Sequence, residues 1–316
     1  MVYWDMLNLL MIIGGFVLLV YGANRLVDGA SALARNFRVS DMVIGLTIVA
    51  LGTSTPELVV NVVAAAGENT QIVLGNVLGS NISNIFLILG ISALIYPLTV
   101  KSSTTWVEIP LCFLSSLVIL IMGSDVWLDN TSHNIITRSE GILLLAFFGI
   151  FLGYILHMLT IESSQEKTEA KKLSIVYASL FVLLGLILSI AGGRLIVTGA
   201  SDLAKSLGVP ERIIALTVVS IGTSLPEMAT SIIAVRKRNL DMAIGNVVGS
   251  NIFNIFLILG VSAIIHPVPI PVGGMLDFCV NILAGLVLFV FIFTGRGRKL
   301  VLWEGVIFLL VYGLYM

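Results

Sequence analysis

Long apolar runs separated by short polar punctuation dominate the chain. Most are close to the ~20 residues that an α-helix needs to cross the hydrocarbon core of a bilayer. Read on that criterion, the pattern predicts ten membrane-spanning helices, near 6–24, 42–65, 71–96, 106–123, 140–160, 174–196, 212–235, 241–266, 275–294 and 300–316. The one long polar connector, Glu162 to Lys172 (ESSQEKTEAKK), divides the chain almost in half and is too short for a folded domain.

Composition agrees with the pattern. Of 316 residues 58% are hydrophobic and 11% charged, with a mean hydropathy of +1.07. Soluble domains carry about a quarter charged residues, so an ordinary soluble enzyme is excluded. The balance of 17 Lys+Arg against 18 Asp+Glu, a net charge of -1, leaves no basic field for nucleic acid. No Lys or Arg precedes Arg25, so the first run lacks the basic flank of a cleaved leader and reads as a span. Cys112 and Cys279 each lie in an apolar stretch without metal-like spacing and are expected to be small buried residues.

Positive charge orients the ten spans. With the N-terminus outside, 13 of the 17 basic residues fall on the cytoplasmic side, among them Arg35, Lys101 and Arg236 to Arg238. Only Arg138, Arg194, Lys205 and Arg212 fall outside, so both termini are expected to be extracellular.

The chain also repeats itself at an offset of 170 residues. LTIVALGTSTPE (46–57) falls on LTVVSIGTSLPE (216–227), and GNVLGSNISNIFLILGISA (75–93) on GNVVGSNIFNIFLILGVSA (245–263). Each half holds five predicted spans, an odd number, so the second half should enter the membrane from the opposite side. The expected fold is therefore an all-α polytopic membrane protein. Residues 1–160 form the first five-helix repeat, 161–173 a cytoplasmic linker and 174–316 a second, inverted repeat. Such architectures place substrate and coupling-ion sites near the midplane, where the repeats meet.

Two acidic residues, Glu57 and Glu227, fall inside predicted spans at repeat-related positions. A carboxylate at the bilayer centre costs about 2.5–3.5 kcal/mol on insertion scales, which argues for a function. Each closes a Gly-Thr-Ser-x-Pro-Glu motif. Pro56 and Pro226 lack an N–H and clash with the carbonyl four residues back, so backbone oxygens around Ala50–Thr53 and Ser220–Thr223 are expected to leave the helix ladder. Thr53, Ser54 and Glu57, and likewise Thr223, Ser224 and Glu227, can project to one side. Ser80 with Asn84, and Ser250 with Asn254, share helix faces at a spacing of four and add a second polar stripe. Asn76, Asn81, Asn246 and Asn251 read as pointing elsewhere, toward backbone or neighbouring helices, and Gly75, Gly79, Gly245 and Gly249 as close-packing surfaces.

Two carboxylates with neutral oxygens, and no His or Cys, suit a hard cation. Calcium accepts six to eight oxygens in forgiving geometry, whereas magnesium sheds water reluctantly and zinc prefers nitrogen or sulfur. Sodium ions or protons competing for the same oxygens would give exchange. Like charges at an empty site repel, so acid pH is expected to oppose calcium binding.

At these motifs the chain resembles the cation/calcium exchanger superfamily, in particular its prokaryotic sodium/calcium exchangers. The resemblance covers both repeats and the ten-span plan. It implies antiport of Ca2+ for Na+ by alternating access, with spans one and six sliding as a gate across an eight-helix core. Carried over by position, Glu57, Glu227, Thr53 and Thr223 would form the calcium site. Ser54, Ser224, Ser80, Ser250, Asn84 and Asn254, with carbonyls of Ala50 and Ser220, would complete the sodium positions. Many members carry Asp where this chain has Asn84 or Asn254, which leaves proton-coupled and potassium-dependent exchange as alternatives on the same site. The expected partners are the transported ions and the lipid of a cell membrane, with no cofactor and a functional monomer.

Two other readings compete. An intramembrane hydrolase could use Ser54 or Ser224, but neither has a His or Lys nearby in sequence to activate it. A calcium channel would conduct without a counter-ion.

Overall fold

The computed structural model describes residues 2–68, 70–162, 173–209, 220–271, 273–294 and 297–316. It is almost entirely helical. We number the principal helices α1 Val2–Phe37, α2 Asp41–Thr53, α3 Thr55–Ala66, α4 Ile72–Ile95, α5 Thr104–Met122, α6 Arg138–Glu162 and α7 Ile175–Ser206. They continue as α8 Ser220–Thr223, α9 Leu225–Arg236, α10 Leu240–Ile265, α11 Gly274–Thr294 and α12 Leu302–Tyr315. Among the described residues seven helices are long and apolar enough to cross a membrane, eight if the bent pair α2–α3 is one span. The chain is a multi-pass membrane protein.

Helix ends follow local chemistry. Ser40, Ser174 and Asn239 accept a backbone N–H three residues on with their side chains and so cap α2, α7 and α10. The residues that leave α1 and α9, Arg38 and Arg238, take positive φ values of 56° and 62°. The next N–H in each case reaches back to Ala34 or Ala234 and satisfies an otherwise open carbonyl. Glu140 and Glu304, which open α6 and α12, accept the N–H of Thr137 and Val301 at 2.7 and 2.6 Å, so both act as capping groups.

α1 and α7 run on well past their predicted ends at 24 and 196, because the two helices pack on each other along their whole length. Gly15 meets Gly192, Gly22 meets Gly185 and Ser189, and Gly29 meets Ala178, an order that makes the pair antiparallel. A Cβ added at Gly22 or Gly185 would lie 2.5–2.8 Å from backbone of the other helix, so neither position has room for a side chain. This slab lies against the outside of the remaining helices and leaves its other face exposed, with Phe16, Val17 and Leu183 uncovered.

The densest packing is around α4 and α10, whose apolar windows are 72% and 78% buried. Gly245 and Gly249 let α10 approach α2 closely at Met42, Leu46 and Ala50, as the glycine pattern predicts. A Cβ at Gly75 would meet nothing within 4 Å among the described residues, and most of the repeat-related stretch, 210–219, lies outside them. Two antiparallel clips join the halves: Leu98–Thr99 (β1) pairs with Lys299–Leu300 (β4), and Ile135–Ile136 (β2) with Val268–Pro269 (β3).

Other expectations meet the structure unevenly. Cys112 is buried, but Cys279 is exposed on α11, because its apolar neighbourhood is a helix face turned outward. Most of the linker at 161–173, and the predicted start of the seventh span at 212, fall outside the described residues.

Candidate functional site

The Gly-Thr-Ser-x-Pro-Glu motif of the first half breaks its helix as the proline demands. α2 and α3 meet at Ser54 with a bend of 46°, and Pro56 occupies the first turn of α3, where a missing N–H costs nothing. The carbonyl chemistry differs from the sequence expectation. Ala50 keeps its helical bond, its oxygen accepting the Ser54 N–H at 3.0 Å, with Thr53 Oγ1 at 3.3 Å beside it. Thr55 Oγ1 likewise donates to the Leu51 carbonyl at 3.0 Å. The proline deprives Gly52 of its donor, while the Ser54 N–H and the Thr55 hydroxyl occupy the Ala50 and Leu51 oxygens that were expected to be free. In the second half the Ser224 N–H bonds to Ile221 O at 3.2 Å, one residue tighter than in the first. Ser220 opens α8, and its side chain is not among those described.

Glu57 and Glu227, each 1% exposed, come together from α3 and α9. Ser54 Oγ donates to Glu227 Oε1 at 3.1 Å. Glu57 faces Thr223 and Ser224, and Glu227 faces Thr53 and Ser54, so each carboxylate meets the hydroxyls of the other half's motif. α3 packs on the π-helical stretch Phe253–Leu259 of α10, and α9 on the matching stretch Ser83–Leu89 of α4. These π-helical stretches carry Asn254 and Asn84; such distortions recur at functional sites, and the apolar periodicity gave no warning of them.

Ser80, Asn84, Ser250 and Asn254 are all buried. Asn76 and Asn246, read from spacing as turned away, instead engage the motif threonines: Thr223 Oγ1 donates to Asn76 Oδ1 at 3.3 Å and Thr53 Oγ1 to Asn246 Oδ1 at 3.2 Å. The signal was present, since 76, 80 and 84 continue one i, i+4 row. Asn246 Nδ2 also donates to the Glu227 carbonyl and to Ser231 Oγ, so it holds α10 on α9.

The polar atoms left over here are mostly oxygens, with the Asn76 Nδ2 donor also unpartnered among the described residues. Both oxygens of Glu57, Glu227 Oε2, the hydroxyls of Ser80, Ser224 and Ser250, and Oδ1 of Asn84 and Asn254 are buried with no hydrogen-bond partner among the described residues. Buried polar groups in native proteins are overwhelmingly paired, so a concentration of orphaned oxygens around two carboxylates is a site for something that carries positive charge. No group of three or more His, Cys, Asp or Glu occurs among the described residues, which leaves two charges and many neutral oxygens. That donor set fits a hard, oxygen-seeking cation and offers a soft metal no ligand.

Comparison with known proteins agrees. A family model described as sodium/calcium exchanger protein matches residues 7–157 and 177–316. The chain is 41% identical to "Putative antiporter CaxA" of Alkalimonas amylolytica, over 80% of this chain and 79% of the relative. It is 30% identical to "Sodium/calcium exchanger MaX1" of Methanosarcina acetivorans over 96% of each chain. A structure of the sodium-calcium exchanger NCX_Mj soaked with 2.5 mM Na+ and 10 mM Sr2+ superposes with a TM-score of 0.84 at 32% identity, covering 98% of both chains. With a match that spans both halves and relatives that are transporters, the chain belongs to the sodium/calcium exchanger family and is an antiporter.

Proposed function

We propose that the protein exchanges Ca2+ for Na+ across a cell membrane by alternating access, at a site between two inverted five-helix repeats, residues 1–160 and 174–316. The observation that carries this reading is the set of buried, unpartnered oxygens around Glu57 and Glu227. An unpaired buried carboxylate costs several kcal/mol, and one divalent cation balances two of them. Glu57, Glu227, Thr53 and Thr223 hold calcium in this reading. Ser54, Ser224, Ser80, Ser250, Asn84, Asn254 and the carbonyls of Ala50 and Ser220 complete the sodium positions. Ala50 O can take that part with its second lone pair, since Ser54 N–H uses one and the single Thr53 hydroxyl proton goes to Asn246 Oδ1.

The antiparallel packing of the repeat-related helices α1 and α7 supports the inversion. Interlocked glycines make the α1–α7 slab a rigid body, which suits it to slide over the packed core and expose the site to one side and then the other. Exchange follows because the same carboxylates serve either ion.

The test is calcium-45 uptake into proteoliposomes with sodium, potassium and proton gradients imposed one at a time. Uptake driven by an outward sodium gradient alone supports the reading. Dependence on potassium, or drive by protons, reassigns the coupling ion at the same site. Uptake that needs no counter-ion would mark a channel and overturn exchange.

A further inference from the structure

Four buried asparagines meet where α4 crosses α10. Asn81 Nδ2 donates to the backbone carbonyl of Asn251 at 3.2 Å, and Asn251 Nδ2 to that of Asn81 at 3.3 Å. Asn84 Nδ2 donates to Asn251 Oδ1 at 2.8 Å, and Asn254 Nδ2 to Asn81 Oδ1 at 2.9 Å. None of the four is more than 1% exposed.

Donor and acceptor rules set the direction of every amide in this ring. A backbone carbonyl can only accept, so Asn81 and Asn251 must turn Nδ2 toward it and Oδ1 away. That Oδ1 also only accepts, so Asn84 and Asn254 must offer it Nδ2. Their own oxygens are thereby turned outward from the ring. Both stand buried without a hydrogen-bond partner among the described residues, as do the hydroxyls of Ser80 and Ser250 four positions before them.

We infer that Asn81 and Asn251 are positioning residues for ion exchange: anchored on each other's backbone, they hold Asn84 and Asn254 with carbonyl oxygen, never NH2, facing the transported cation. The inference rests on the exchange function proposed above. It also accounts for amides at both positions 84 and 254. An ionised aspartate at either would bring a carboxylate oxygen within 3 Å of an amide oxygen, two acceptors with nothing to share. The ring therefore selects a neutral side chain there and leaves Glu57 and Glu227 to carry the charge of the site.

The experiment is a double-mutant cycle on the full chain in proteoliposomes, reading KM and kcat for calcium uptake. With Asn251→Leu the Asn84 amide loses its anchor and can present NH2 to the cation. KM for Ca2+ then rises by about tenfold or more, with kcat changed far less. Asn84→Ala raises KM similarly, and adding Asn251→Leu to it changes KM little further, because Asn251 acts through Asn84. The pair Asn81→Leu and Asn254→Ala behaves alike. A purely structural role predicts additive effects in each cycle, and additive effects, or an unchanged KM in Asn251→Leu, would overturn the inference. If the leucine variants do not fold, the cycle is run with Asn251→Ser and Asn81→Ser, whose smaller side chains clear the crossing. Wild-type protein without calcium uptake defeats the exchange reading itself, whereas wild-type uptake with additive cycles defeats the positioning role alone.

Discussion

Ser54 Oγ donates to Glu227 Oε1 at 3.1 Å and so joins residues 173 positions apart in the chain. Among the described residues the repeat-related hydroxyl, Ser224 Oγ, has no hydrogen-bond partner, and neither oxygen of Glu57 has one. The two carboxylates are therefore held differently, although their motifs are almost the same. Each hydroxyl belongs to one half and faces the acid of the other, so the site exists only when the halves are together.

Charge is the first thing to remove. Glu57→Gln and Glu227→Gln keep shape and hydrogen-bonding capacity but leave a single negative charge against a divalent ion. Each is expected to lower calcium uptake by about 100-fold or more, since calcium affinity follows the count of charged ligands. The folded protein should still elute as a monodisperse species. Uptake by either variant at the wild-type rate would show that the carboxylate is dispensable.

Acid should oppose transport. A glutamate that takes up a proton no longer helps to balance calcium, so calcium affinity falls as pH falls and recovers as pH rises. The apparent KM for Ca2+, measured between about pH 5 and pH 8, should therefore be highest at the acid end. A flat profile would exclude competition between protons and calcium at these carboxylates.

The slab formed by α1 and α7 is tied to the core near one end of α1. Lys237 Nζ, just beyond α9, binds Asp28 Oδ1 at 2.8 Å and the Asn24 carbonyl at 3.1 Å, and Asn239 donates to Ser31 at 3.0 Å. The ion pair is partly exposed, with side chains 31% and 46% accessible, so its worth is about 0.2–1 kcal/mol. Lys237→Met or Asp28→Asn should shift the balance between the two access states by up to about fivefold. The melting temperature should barely move. Calcium KM values measured from the two faces of the membrane report the shift; an unchanged ratio would mean that this tie does not distinguish the states.

Gly22→Ala tests the slab itself. The added Cβ would lie 2.6 Å from Ser189 N and 2.8 Å from Gly185 O, so the helices must separate, at a cost of about 1–3 kcal/mol. Gly14→Ala, about two helical turns away with nothing within 4 Å, is the control and should be neutral. Thermal unfolding in detergent compares the two, and equal stability would show that the packing at Gly22 relaxes freely.

Local features of the sequence were legible wherever one segment decides the outcome. The bend at Ser54 follows from Pro56 alone, and the placing of Glu57, Ser80 and Asn84 inside helices follows from the apolar runs around them. The carbonyl of Ala50 keeps its bond, against expectation, because its donor is the Ser54 N–H four residues on, before the proline, which removes a donor only from Gly52. Asn76 and Asn246 were expected to serve backbone or neighbouring helices; which partners they meet was not legible, because those threonines lie 147 and 193 residues away.

Apolar run length, the placement of prolines and the repeat of two polar motifs are properties of the chain, and they specified a multi-pass helical protein with two acids at related positions. Those properties follow from bilayer thickness and backbone chemistry, which act over a few turns of helix. Which hydroxyl meets which carboxylate, how far α1 and α7 continue and which way each buried amide points were decided by helix crossings alone. Such contacts depend on how two distant surfaces fit to within a fraction of an ångström, and no periodicity within one helix encodes that fit.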